Sequence, residues 1–206
     1  YIRSQGARPA CIGVDGMYTP FPAGTCISVN EEVVHGIPGD RILQEGDIVS
    51  VDTVTELNGF FGDSAITYAV GEIDEESRRL LEVTEKSREI GIEMAVVGNR
   101  IGDIGHAIQS YVEKNGFTVV RDFAGHGVGH AMHEDPIVAN FGRKGRGIKI
   151  ENGMVLAIEP MVNAGSYKIN VKEDGWTIVT RDGKRSAHFE HSIAIVDGKP
   201  VILSEL

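Results

Sequence analysis

Two apolar runs meet at Asn58-Gly59, and such a pair between β-forming segments specifies a tight hairpin. Ile48, Val49, Val51 and Val54 lie on one side, and Phe60, Phe61, Ile66, Tyr68 and Val70 on the other. A two-residue turn sets Leu57 against Phe60, hence Val54 against Asp63 and Asp52 against Ala65. Asp52 and Asp63 then share one face as diagonal neighbours, roughly 7–8 Å apart at the backbone. Between Asp47 and Val70 there is no Lys, Arg or His to neutralise them. Two carboxylates on so apolar a hairpin are costly if buried unless a cation joins them; the alternative is a wet face on which the acids are merely solvated.

The rest of the chain builds around this hairpin. Residues 1–40 read as loops and short strands, with an alternating Cys26-Ile27-Ser28-Val29 and a turn at His35-Gly36-Ile37-Pro38. Asp74 caps a helix running to about Met94. After Gly98-Asn99, Ile101, Ile104, Ile108, Tyr111 and Val112 keep helical spacing until Gly116. Strands are expected again over 118–123, 154–158, 176–181 and 187–196, the last two joined at Asp182-Gly183. Strands, then helices, then strands make an α+β domain. Gly46-Asp47-Ile48-Val49-Ser50-Val51-Asp52 also matches Gly153-Met154-Val155-Leu156-Ala157-Ile158-Glu159: a glycine, a strand, then an acid. This repeat predicts two related halves, about 1–115 and 116–206, meeting at one site within a single domain; the alternative is chance similarity of two short β segments.

The second half supplies matching groups. Glu159 and Glu190 sit in strand-like segments without Lys or Arg beside them, and three of the seven histidines fall within 125–134. Gly125-His126-Gly127-Val128-Gly129 lacks the residues of a phosphate loop and the dinucleotide spacing. Four carboxylates and one imidazole carry about four negative charges, which two divalent cations neutralise. Oxygen-rich coordination with one nitrogen suits Mn, Fe(II), Co or Zn pairs better than a structural thiolate zinc site. Such a pair can activate water at neutral pH, so metal-assisted hydrolysis is the chemistry expected.

Charge bounds the partners: 30 acidic against 20 basic residues give a formal charge of −10, with no footprint for nucleic acid. No segment approaches the length of an apolar membrane span. Two cysteines, Cys11 and Cys26, are too few for a disulfide framework and fit a reducing, cytoplasmic setting.

Five motifs in order, His35-Gly36-Ile37-Pro38, Asp52 with Asp63, Gly125-His126-Gly127-Val128-Gly129, Ile158-Glu159-Pro160-Met161 and Glu190-His191-Ser192, resemble type I methionine aminopeptidases. The resemblance runs from about Cys11 to Leu203. It implies a pseudo-symmetric pita-bread fold, an antiparallel sheet with helices on one face. It also implies two divalent ions on Asp52, Asp63, His126, Glu159 and Glu190. A water or hydroxide bridging the ions would attack the carbonyl after an N-terminal methionine. Glu159 would act as general acid and base, His133 would hydrogen-bond the scissile amide, and His35 would contact substrate just beyond it. Cys11, Phe21, Cys26, Met132 and Trp176 would form the methionine pocket. Asn30 and Ser186 match a monovalent-cation site of some members.

The resemblance further implies a monomeric enzyme acting on nascent polypeptide N-termini, at the ribosome, with a small second residue. The family's usual N-terminal helical segment has no counterpart here, and the 13–22 loop is longer than usual. Val14 and Met132 stand where aromatic residues are common. Type II enzymes carry a large insertion for which the spacing from His126 to Glu190 leaves no room. The rival enzyme reading is a prolidase or Xaa-Pro aminopeptidase, which carries an extra N-terminal domain. From another class, the rivals are non-enzymatic relatives of the fold that bind protein or RNA after losing their ligands. All five ligand positions and both histidines are present here.

Overall fold

The computed structural model describes residues 1–205. The hairpin forms as the sequence dictates, from arms Ile48–Leu57 and Phe60–Ala69, with Val54 opposite Asp63 and Asp52 opposite Ala65. Asn58 and Gly59 both adopt positive φ, the left-handed backbone that a type I′ turn needs. The hairpin lies within a nine-stranded antiparallel sheet of the described residues. Its order runs Arg8–Pro9, Ile48–Leu57, Phe60–Ala69, Glu190–Val196, Val155–Ile158, Gly125–Gly127 and Glu134–Val138. Cys26–Val29 also pairs with the first hairpin arm, and Lys199–Ile202 with Glu190–Val196. Two three-stranded sheets flank it among the described residues.

Two helices cover one face. α1 (Glu75–Met94) starts where Asp74 accepts the Ser77 N–H at 2.7 Å. α2 (Ile101–Lys114) starts where the Asp103 carboxylate accepts the Arg100 N–H at 2.8 Å. Ile101, Ile104, Ile108 and Val112 form its buried stripe. They pack with Leu80 and Val83 of α1 onto Leu156, Ile158, Ile193 and Ile195 of the sheet. The opposite face of the same strands is left to the acids.

The internal repeat has a structural counterpart. Gly46 and Gly153 both take positive φ, 94° and 88°. Gly46 N–H donates to Val70 O at 2.8 Å and Val70 N–H to Asp47 O at 2.9 Å. Gly153 N–H donates to Ile195 O at 2.9 Å and Ile195 N–H to Met154 O at 2.8 Å. The same bonded pattern therefore opens the strand that carries Asp52 and the strand that Glu159 follows.

Three expectations need correction. The strand expected over 118–123 is limited to Thr118–Val119. Asp182-Gly183 does not close a two-residue hairpin. Ile178–Thr180 pairs with Ile169–Val171 and Glu32–Val34, whereas Ser186–His188 pairs with Met161–Asn163 in another sheet. The Asp182 carboxylate turns to the Ser166 and Lys184 N–H groups, at 2.7 and 3.2 Å, so the chain leaves one sheet for the next. The expected 187–196 strand also divides at Phe189, whose ring is buried in the helix-covered core.

Candidate metal centre

The register places the acids on one face. Cys26, Asp52, Ala65 and Glu190 stand in a row across three strand pairings, and Asp63 is two residues from Ala65 on the same arm. Ala65 has no bulk to fill the space between its acidic neighbours. The pairing of His191 with Ile158 carries the row on toward Glu159. His126 enters from Gly125–Gly127, which packs against Val155–Ile158. A Cβ on Gly125 or Gly127 would strike the carbonyl of Ala157 or Asp135 respectively, so only glycine lets this strand lie so close.

Asp63, His126 and Glu190 each offer one ligand atom within 4.8 Å of the other two. His126 Nε2 is 3.7 Å from Asp63 Oδ2 and 3.4 Å from Glu159 Oε1. His126 Nδ1 lies 2.8 Å from Gly127 O, so its proton belongs there and Nε2 is left with a lone pair toward the acids. Asp63 Oδ1 and Glu190 Oε1 are buried with no hydrogen-bond partner among the described residues. Among the described residues no Lys or Arg lines the cavity around them. Burial lifts Asp52 to about 6 and Glu159 to about 8, and burial with mutual repulsion lifts Asp63 and Glu190 well above the carboxylate range. Unpartnered acceptor oxygens, an imidazole lone pair and no local cation make a donor set fitted to divalent metal.

The acids open into a cavity of about 440 Å³. Asp52, Asp63, His126, Glu159 and Glu190 line it together with His35, His133, Cys11, Phe21, Cys26, Met132 and Trp176. All of these expected site residues therefore share one space. Cys11, Phe21 and Cys26 are buried in one apolar cluster, against which Met132 and Trp176 pack. Trp176 sets its ring edge to Phe21 at 5.1 Å and donates its indole N–H to Thr19 O at 2.8 Å. The two thiols influence each other in this buried cluster, Cys11 being lowered and Cys26 raised from the ordinary thiol value.

His35 adopts a left-handed φ of 58°, costly for a residue with a Cβ and frequent where a side chain must be aimed. Its ring is wedged between Phe123 at 5.4 Å and Trp176 at 6.2 Å, and burial lowers its pKa to about 4. His133 stands at the mouth with its ring edge-on to His126 at 4.5 Å. Its loop is tied by Glu134 Oε1, which accepts the Ala131 N–H at 2.7 Å. Asn30 and Ser186 lie apart from the cavity lining, joined by a 2.8 Å bond from Ser186 N–H to Asn30 O.

Phe123 and His188 are among the cavity residues that escaped the sequence reading. Phe123 backs His35, and no periodicity marks it. His188 is fully buried with both ring nitrogens unpartnered, and its Nε2 is 3.6 Å from Glu159 Oε2. Its two-residue spacing from Glu190 gives no period-two signal, because the strand breaks at Phe189 between them.

Residues 3–197 match the family model described as metallopeptidase family M24. The chain belongs to that family. Among M24 relatives, a methionine aminopeptidase of Clostridium perfringens is 55% identical over 204 residues, covering 99% of this chain and 80% of the relative. The crystal structure of a methionine aminopeptidase from Thermotoga maritima superposes with a TM-score of 0.95 at 48% identity, covering 100% of this chain and 81% of that one. A prolidase from Pyrococcus furiosus shares the fold at 21% identity and a TM-score of 0.69, covering 88% of this chain and 49% of its own.

Proposed function

We propose that this M24 metallopeptidase removes N-terminal methionine from peptides whose second residue is small. The observation that carries this is the shared cavity: an apolar, sulfur- and aromatic-lined pocket opens directly onto the cation-free carboxylate cluster. A thioether side chain packs favourably on such walls.

Asp52, Asp63, His126, Glu159 and Glu190 would hold two divalent ions, Mn, Fe, Co or Zn. Such ions, when bound, activate water and stabilise charge developing on a carbonyl. The remaining roles fall to the chain itself. Glu159, a carboxylate lining the cavity beside the reacting bond, would take the proton given up by the attacking water and pass it to the leaving amine. His133, at the mouth, is placed to hydrogen-bond the scissile amide. His35, fixed between Phe123 and Trp176, leaves little room beyond the scissile bond and so favours Gly or Ala there.

The same reading makes the chain one catalytic domain of two related halves, acting as a cytoplasmic monomer on nascent chains, including those at the ribosome. No helix of the described residues is long and apolar enough to cross a membrane. A monovalent ion at Asn30 and Ser186 would brace the strands behind the cavity. Hydrolysis of short peptides by metal-loaded protein tests the proposal. Met-Ala and Met-Gly peptides should release methionine, Met-Lys should be spared, and equal turnover of Xaa-Pro substrates would move the activity to the prolidase branch.

A further inference from the structure

Glu159 is held from three directions, and one of the three has been given no role. Its backbone carbonyl accepts a hydrogen bond from Asn140 Nδ2 at 3.0 Å. Its Oε1 faces His126 Nε2 at 3.4 Å, and its Oε2 faces His188 Nε2 at 3.6 Å. The base of His188 is itself clamped. His188 N–H donates to Thr67 Oγ1 at 2.9 Å, Thr67 Oγ1 donates back to His188 O at 2.8 Å, and Ser50 Oγ lies 2.8 Å from the same hydroxyl. A ring carried on backbone fixed this firmly, 2% exposed and with neither nitrogen bonded among the described residues, is costly unless the ring has work to do. The 3.6 Å separation exceeds a hydrogen bond by about half an ångström, a gap that a carboxylate rotation closes.

We propose that His188 is a positioning residue for Glu159: its ring N–H holds Oε2, so that Oε1 stays turned toward His126 and the metal-holding side. The inference rests on the ligand and proton-carrier role given above to Glu159. Ligand-orienting partners of this kind are worth about 10–100-fold in metal affinity or activity.

The test is calorimetric titration of metal-free protein with Mn(II) or Co(II), with the Co(II) visible spectrum recorded beside it. Thermal melting of each metal-free variant serves as the folding control. His188→Leu should bind at least one ion about 10–100-fold more weakly and change the Co(II) spectrum. His188→Gln, which keeps an N–H donor at similar reach, should stand closer to wild type than to Leu. Should the Leu variant fail to fold, His188→Asn replaces it, polar but too short to reach Glu159. On Met-Ala peptides the Leu or Asn variant should lose kcat with little change in KM. Wild-type affinity and spectrum in that variant, a Gln variant as weak as it, or a change confined to KM would each overturn the proposal. Absence of metal binding by wild type would instead remove the functional reading on which it rests.

Discussion

Ser192 grips Asp63 by both backbone groups: Asp63 N–H donates to Ser192 Oγ at 3.0 Å, and Ser192 Oγ donates to Asp63 O at 2.8 Å. One hydroxyl thus fixes an acid on the hairpin to the strand that carries Glu190, 129 residues away in sequence. Ser192→Ala leaves a buried N–H and C=O unpaired, a loss of about 1–3 kcal/mol. The urea midpoint should fall with an unchanged slope, and metal affinity should fall with it.

Gly127→Ala places a methyl group against the Asp135 carbonyl, which is backbone and cannot swing aside. The Gly125–Gly127 strand must then move away from its neighbour and take His126 with it. The expected cost is about 1–3 kcal/mol. Thermal melts with and without Mn(II) should show the variant less stable and gaining less from metal than wild type.

His133 is exposed at the cavity mouth, and its ring meets that of His126 edge to face at 4.5 Å. His133→Ala should therefore melt within about 0.5 kcal/mol of wild type and keep its metal. Its kcat should fall about 10²–10³-fold if the ring supports the amide during attack. An unchanged kcat would remove that role.

Metal-free stability should fall as pH rises from 6.5 to 8. Folded Glu159 keeps its proton up to about 8, and Asp63 and Glu190 also titrate well above their usual range. The same carboxyls in the unfolded chain are deprotonated above about pH 5. The folded state thus binds more protons in this window, and stability declines toward the folded pKa by on the order of 1 kcal/mol per pH unit for each such group. His35, His126, His133 and His188 are all lowered in the fold. Their opposite contribution, stability gained as pH rises, fades over about one unit above 6.5 as the unfolded histidines finish titrating, and the raised carboxyls outweigh it across the window. Divalent metal displaces the carboxyl protons and should abolish the decline. Thermal melts in chelator and in Mn(II) at the two pH values check this; a higher melting temperature at pH 8 in chelator would contradict it.

What was legible in the sequence was local. Asn58-Gly59 sets a two-residue turn, so period-two counting gave the pairing of Asp52 with Ala65 and of Val54 with Asp63 without any tertiary information. Asp74 and the Ile101, Ile104 and Ile108 stripe marked both helices in the same way. The strand break at Phe189 was not legible, because it arises from competition between the helix-covered core, which takes Phe189, and the cavity, which takes His188 and Glu190. Asp182-Gly183 misled for a related reason: its turn chemistry is real, but the Asp182 carboxylate serves Ser166 across a loop. That the acids of the two halves share one cavity came from the motif resemblance and the repeat. Charge alone gave only the absence of a local cation.

The central claim is that the buried acids form a two-ion centre, and the most direct measurement is metal counted per chain after equilibrium dialysis. Wild type should retain two divalent ions and release methionine from Met-Ala peptides. Asp63→Asn and Glu190→Gln should lose bound ions and activity together. Wild-type protein that holds no ion, or full activity in both variants, would contradict the account.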